Sequence, residues 1–433
     1  MKLQTEPAVP TNCNADCSTA YEALRARYER VRARTSSLAE PLSAEDCCVQ
    51  SMPDASPVKW HIAHTSWFFE TFILEQHDPD FRPFNAEFRI LFNSYYNGIG
   101  EKHPRAQRGM LTRPSLAEVQ AYRRHIDERM IELLTRPQVL PAISALVEIG
   151  LQHEQQHQEL MLTDVKHLLS NNPLLPAYAP ETFKTDTQSL AFDWFEFASG
   201  VVEIGYCGNG FCFDNEMPRH RQFVERFAIA SRLITNGEFL AFIEAGGYTD
   251  PAYWLSQGWD WVRDHHITRP LYWQRAEAGH SSIWQEFTLY GLQPLDLARS
   301  AMHLSYFEAD AYARWAGARL PTEAEWEHAA AEMSEHVAVE RLHPQASDQP
   351  GLSQLFGTSW QWTSSSYAPY PGYEPEEGLL GEYNGKFMVN QYVLRGSSCV
   401  TPAGHTRQTY RNFFPADARW QFTGIRLAKS IRN

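Results

Sequence analysis

The sequence predicts a multidomain protein in which an all-α half is followed by an α+β half, and three observations predict it. Over about the first 175 residues, apolar side chains recur at helical spacing through four long segments. Residues 171–190, "NNPLLPAYAPETFKTDTQSL", gather Pro, Asn and Thr and interrupt that pattern. Beyond them, short alternating runs such as "FVERFAIAS" stand between Gly, Pro and Asn turns. The expected division is a helical domain over 1–175, a linker over 176–190 and an α+β domain over 191–433.

The first helix is expected over 18–39, a segment rich in Arg, Ala and Glu. The second covers 57–76, "PVKWHIAHTSWFFETFILEQ", with Pro57 at the first helical position. The third covers 115–136 and opens on Ser115 with Glu118 three residues later, a capping box. The fourth covers 141–169, starting from Pro141. Four helices of about twenty residues predict an antiparallel bundle. The connection 77–114 is long enough that a functional role is expected of it. In the second half only 305–316 and 322–332 read as strongly helical.

Net charge is −14 with no long basic run, which argues against nucleic acid and anionic membrane as partners. No run of about 18 apolar residues predicts a membrane span. The N-terminus shows no apolar signal core, and the seven cysteines are irregularly spaced, as expected of reduced thiols in a cytoplasmic protein. Cys13 and Cys17 have no second pair at zinc-ribbon spacing. The 13 Trp, 19 Tyr and 24 Phe suit packing and also the binding of a cationic ligand.

Residues 153–157 read His-Glu-Gln-Gln-His. Four residues apart on a helix, His153 and His157 project from one face and can hold one metal ion. Zinc proteases share this pattern, but the third histidine of the metzincin type falls on Thr163 and its glycine on Leu160. The second helix carries His61 and His64. Buried histidines without partners are costly, so histidines clustered on bundle helices predict shared ligation. One of them with His153 and His157 gives three neutral imidazoles, which leave a divalent metal its full charge and open positions. Three residues turn a helix by ~300°, so only one of His61 and His64 aims well at the shared centre, and spacing does not choose between them. Glu154 points off the ligand face and is expected to support a bundle residue rather than act as a base.

These histidine runs occur together with "NEMPRHRQFVERFAIASRLITNGEFLAFI", "HLSYFEADAYARWAGARLPTEAEWEHAA", "GTSWQWTSS", "VLRGSS" and "YRNFFPADARWQFTGIRLA". In that combination the chain resembles the ergothioneine-biosynthesis sulfoxide synthases from about residue 20 to about residue 430. These non-haem iron enzymes use O2 to join the sulfur of cysteine or γ-glutamylcysteine to the imidazole of hercynine, Nα-trimethylhistidine. The resemblance implies a DinB-like four-helix bundle followed by a formylglycine-generating-enzyme-like domain of C-type-lectin-like fold. It implies iron(II) on His64, His153 and His157, with His61 outside the ligand set. It implies that Gln156 touches the hercynine imidazole, and that Asn412, with Phe413 beside it, binds the end bearing carboxylate and trimethylammonium. An aromatic wall suits that quaternary cation, and Phe414 and Trp420 are further candidates for it.

In the branch using γ-glutamylcysteine an Asp follows the Asn–aromatic pair, whereas Phe414 stands there in this chain. The loop "LFNSYYNGIGEKHPRAQRG" carries adjacent tyrosines, Tyr95 and Tyr96, resembling the branch that uses free cysteine. The resemblance thus implies cysteine as sulfur donor, with one of these phenols as proton donor. Arg105 and Arg108 are expected to pair with the cysteine carboxylate, whose geometry an arginine fork matches. Formylglycine generation uses a cysteine pair to bind copper, and Cys399 stands alone late in the chain, so the second domain is expected to serve as a binding lid. Two other readings differ in their expectations: a synthase acting toward ovothiol prefers histidine to hercynine, and a lectin-like binding protein retains no stoichiometric iron.

Overall fold

The computed structural model describes residues 14–94, 96–180, 188–278, 281–331, 341–375 and 384–431. Four helices build the first half: α1 (Asn14–Ala39), α2 (Val58–Phe69), α3 (Leu116–Leu133) and α4 (Leu140–Ser170). Helix α2 packs on both α3 and α4, and α1 packs on α4. Ser115 and Glu118 close the expected capping box on α3. Pro57 is the N-cap of α2 rather than its first helical residue, because its backbone is still extended (ψ 145°). Every residue of α2 is buried, so this helix forms the centre of the bundle. It runs on through a π-helical turn, Glu70–Leu74. Gly150 lets α4 approach it closely: a Cβ there would lie 2.7 Å from the ring of Phe69. That approach brings His153, one turn later, up to α2.

The bundle also holds a fully buried anion, Glu154. Arg32 of α1 donates to it at 2.9 Å and Arg123 of α3 at 2.5 Å, and the Thr35 hydroxyl donates as well. Arg32 reaches on to Ser66 of α2 at 2.9 Å and Asp127 of α3 at 2.6 Å. Burial would raise this carboxyl's pKa, but Arg123 and Arg32 prevail and hold it at about 2. Glu154 is therefore an ionised tie among all four helices.

In the second half, twelve strands form four small sheets among the described residues. One contains β1 (Trp194–Phe197), β4 (Phe227–Ala230) and β12 (Ala428–Ser430). A second pairs β2 (Gly200–Ile204) with β3 (His220–Val224), and a third joins β5 (Trp273–Ala278), β6 (Ser281–Thr288) and β7 (Gly291–Pro294). The fourth contains β8 (Trp360–Ser366), β9 (Tyr392–Gly396), β10 (Asn412–Phe414) and β11 (Thr423–Gly424), in the order β10–β9–β8–β11. Its edge strand β10 sets Asn412, Phe413 and Phe414 opposite Leu394, Val393 and Tyr392.

The expected helices are present as α7 (Tyr306–Trp315) and α8 (Glu323–Ala330), and two more, α5 (Asn236–Glu244) and α6 (Ser256–Asp264), precede them. Both extra helices carry a glycine, which lowers helix propensity, and tertiary packing overrides it. Thr235 and Glu238 nevertheless form a capping box on α5. The expected linker is stapled to both halves where it is described. Tyr178 is buried, its hydroxyl donating to the Leu38 carbonyl and its N–H to that of Leu289. Linker residues 181–187 lie outside the described residues.

Replacing Glu154 by Ala removes the buried anion that Arg32 and Arg123 share and leaves them only the half-buried Asp127. Denaturant unfolding is expected to show a loss of about 3–5 kcal/mol, and a loss under about 1 kcal/mol would refute its central role. A second buried carboxyl, Glu70 in the π turn, is raised by burial to about 7 although the Tyr122 hydroxyl donates to it. A carboxyl whose folded pKa exceeds its unfolded one contributes stability in acid and loses it as pH rises through the folded value. The advantage in Tm of Glu70→Gln over the parent should therefore grow by a few degrees between about pH 5 and about pH 8. A constant difference across that range would show that Glu70 does not titrate there.

Candidate active site

Helix α4 faces α2 on one side and the second half of the chain on another. On the α2 side, His64, His153 and His157 are all buried, and one ring nitrogen from each lies within 4.8 Å of the others. Their tautomers follow from their neighbours. His64 donates Nδ1–H to the Phe92 carbonyl at 2.6 Å, so its Nε2 carries a lone pair. Asp164 Oδ2 accepts the Ser56 N–H at 2.8 Å and His61 Nε2–H at 3.0 Å. His61 Nδ1 then accepts from His157 Nδ1–H at 2.8 Å, which bares His157 Nε2. His153 Nε2 stands 3.1 Å from His64 Nε2.

Burial drives the pKa of His64 and His157 well below the usual histidine range, and that of His153 down to about 3. All three imidazoles are thus neutral at neutral pH, and converging lone pairs of this kind fit a metal cation. His64 is fixed further by aromatic stacking, with Trp60 on it at 4.5 Å and Trp67 at 5.5 Å. His61 stands outside the trio and orients His157.

The other side of α4 docks the second half. Gln155 Nε2 donates to the Ala403 carbonyl at 2.9 Å, and Gln156 Nε2 donates to the Tyr410 hydroxyl. Glu159 accepts from Trp360 Nε1 at 2.8 Å, Ser398 at 2.6 Å and Thr401 at 2.7 Å. A cavity of about 440 Å³ lies along this junction. His153, His157 and Gln156 line it from the bundle, and Asn412, Phe413, Phe414 and Trp420 line it from the second half. Phe413 stacks on Tyr367 at 4.0 Å, and Phe414 meets Trp420 edge to face at 5.9 Å.

Arg105 and Arg108 also line the cavity and differ in setting. Arg105 is exposed and donates to the Asp54 carbonyl. Arg108 is 3% exposed, lies flat on Trp60 at 3.4 Å, and donates to Ser56 and Ser94 hydroxyls. Its Nε is unpartnered, and among the described residues no carboxylate lies within ion-pair distance of it. Burial and the neighbouring Arg105 pull it below the usual arginine range, and Asp164 only partly opposes them.

Tyr96 is fully buried against Phe72 at 5.1 Å and Trp67 at 5.6 Å, and does not line the cavity. Tyr95 lies outside the described residues. Several contributors escaped the sequence reading. Asp164 sits two helical turns beyond His157, a spacing that places it on the same face. Trp60 and Tyr410 stand inside motif runs, but their roles depend on neighbours distant in the chain.

Residues 27–161 match the DinB superfamily, and residues 181–348 and 335–431 match the sulfatase-modifying factor enzyme 1-like domain. The chain is 30% identical to the hercynine oxygenase of Mycobacterium tuberculosis over 454 residues, covering 95% of this chain and 100% of that protein. The hercynine oxygenase of Mycolicibacterium smegmatis gives the same identity and coverage. Ergothioneine biosynthesis protein 1 of Schizosaccharomyces pombe is 30% identical over 236 residues, 51% of this chain and 28% of that protein. Among the described residues, no helix is long and apolar enough to cross a membrane.

Metal analysis of purified variants separates ligand from support. His64→Ala is expected to lose bound metal, whereas His61→Ala should retain it with affinity lowered roughly 10–100-fold. The reverse pattern would exchange the two roles.

Proposed function

The chain belongs to the hercynine oxygenase family, the ergothioneine sulfoxide synthases, and on that premise we propose that it joins the sulfur of cysteine to the hercynine imidazole with O2 at a non-haem iron(II). It is an oxygenase. In the proposed reaction one thiol, one imidazole C–H and one O2 give a sulfoxide and one water. The C–S bond forms as the S–H and C–H bonds break, one oxygen atom goes to sulfur, and the other leaves as water. Iron(II), held by His64, His153 and His157, would supply the oxidative chemistry.

The observation that carries this reading is the neutral three-histidine cluster, two members of which line a cavity that also holds a buried arginine with no carboxylate at ion-pair distance among the described residues. Arg108, assisted by Arg105, would hold the cysteine carboxylate, since a desolvated guanidinium gains most from a bidentate anion. Gln156 would hold the imidazole ring, and Asn412 the substrate's carboxylate and trimethylammonium end. Phe413, Phe414 and Trp420 would face the quaternary cation, which an aromatic wall accommodates without a counter-charge. Tyr95 would deliver a proton on the oxygen side, since Tyr96 is packed away from the cavity. Phe414, standing where the γ-glutamylcysteine branch has Asp, favours free cysteine as donor.

Iron-loaded protein given hercynine, cysteine and O2 is expected to form hercynylcysteine sulfoxide, detected by mass spectrometry. Arg108→Ala should lower kcat/KM for cysteine by roughly 100-fold. Absence of product with any thiol would sink the reading. Faster turnover of γ-glutamylcysteine would overturn the choice of donor, and preference for histidine over hercynine would favour the ovothiol-directed alternative.

A further inference from the structure

Arg108 and His64 come from different parts of the chain, and Trp60 stands between them. Arg108 belongs to a short 3-10 turn, Arg105–Met110, in the long connection after α2, while Trp60 and His64 lie one turn apart on α2 itself. The Arg108 guanidinium carbon is 3.4 Å from the centre of the Trp60 ring. The His64 ring centre is 4.5 Å from it, in a plane tilted by only 14°. Two planar groups this close to one ring centre cannot share a face, because each fills the space the other would need at van der Waals contact. They therefore cover opposite faces, and the indole separates guanidinium from imidazole by the thickness of one aromatic ring.

Each member of this column is held from outside it. His64 gives Nδ1–H to the Phe92 carbonyl at 2.6 Å, and Trp67 stacks on the same imidazole at 5.5 Å and 16°. Arg108 donates to the Ser56 hydroxyl at 2.9 Å and to the Ser94 hydroxyl at 3.0 Å. Ser56 is tied in turn, its N–H donating to Asp164 at 2.8 Å. Trp60 is buried in a helix whose every residue is buried, so close packing leaves its ring no room to swing aside.

We infer that Trp60 is a positioning residue that fixes the spacing between the Arg108 fork and the metal ligand His64, so that the site selects a thiol acid by the length of chain between its sulfur and its carboxylate. This rests on the proposed roles of Arg108 and the three histidines and adds a length rule to them. Cysteine carries thiol and carboxylate on adjacent carbons. A thiol acid one methylene longer must buckle or release one of its two anchors, and a spacing that cannot stretch rejects it. Any aromatic ring at position 60 preserves the wall, whereas an aliphatic side chain offers neither neighbour a flat face. Lysine in place of Arg108 keeps the charge but not the plane, and cannot lie on the indole.

The test is anaerobic titration of the full-length protein loaded with Co(II), in which a thiolate reaching the metal gives a near-ultraviolet charge-transfer band. The probes are cysteine, homocysteine, which is one methylene longer, and cysteamine, which lacks the carboxylate. Wild-type protein is expected to bind cysteine at least about tenfold more tightly than either of the others. Trp60→Phe should keep the preference over homocysteine. Trp60→Leu should shrink it at least about threefold while still preferring cysteine to cysteamine, a change in ratio that a general loss of structure would not produce. Arg108→Lys should shrink it likewise, and carries the test if Trp60→Leu does not fold. A wild-type cysteine-to-homocysteine ratio in both variants, or no such preference in the wild-type protein, would overturn the length rule and leave the proposed function standing. Equal binding of cysteine and cysteamine by wild-type protein would overturn the Arg108 anchor, and the length rule with it.

Discussion

The rotation of α4 about its own axis is the constraint on which the site depends, and the Glu154 carboxylate sets it. Successive residues on a helix are turned by ~100°, so locking one position locks its neighbours. With Glu154 held by Arg32 and Arg123, His153 and His157 face α2, while Gln152, Gln155, Gln156 and Glu159 face the second half. A small rotation would pull a buried carboxylate away from both guanidiniums that neutralise it, which is costly in a water-excluded core. The residue that resembles a protease base is thus the anchor that aims the metal ligands.

Around that anchor, α4 is polar without being solvated. Its glutamines meet carbonyls, a phenol and an imidazole of the second half. An amide suits this seam because it carries both a donor and an acceptor, and the fixed groups at each end decide which is used. The Asp164–His61–His157 chain obeys the same logic on the opposite face, delivering a bare nitrogen toward the histidine cluster. Trp60 links the two sides of the cavity, since His64 stacks against the same indole that carries the Arg108 guanidinium. A shift of that ring would move the metal ligand and the anion site together.

What could be read from the sequence was local. The helices of the bundle announce themselves by period, α3 by Ser115 and Glu118, and the metal pair by the spacing of His153 and His157. The π turn carries no comparable signal, since its residues are as apolar as the helix around it. Spacing could not choose between His61 and His64, because the choice depends on the carbonyl of Phe92 and the carboxylate of Asp164, which only the fold brings near. The polar character of residues 152–159 was visible but its cause was not, because its partners lie some 200 to 250 positions later. Tyr96 reads as a phenol available for chemistry, yet the loop turns its ring into the cluster of Phe72 and Trp67.

The charges left over at the junction explain why the cavity needs its ligands. The imidazoles are neutral, Asp164 is spent on Ser56 and His61, and Glu159 is spent on Trp360, Ser398 and Thr401. Arg108 has no carboxylate at ion-pair distance among the described residues and feels Asp164 only from farther off, and a divalent metal on three neutral nitrogens would add positive charge beside it. The net charge of −14 does not relieve this, because surface carboxylates are screened within about 10 Å. Negative charge must therefore arrive with the ligands, and cysteine brings a carboxylate and an ionisable thiol on one small frame. On the proposed reading, that neutralisation also lowers the cost of placing a trimethylammonium group against the aromatic wall nearby, so each substrate makes the cavity more hospitable to the other.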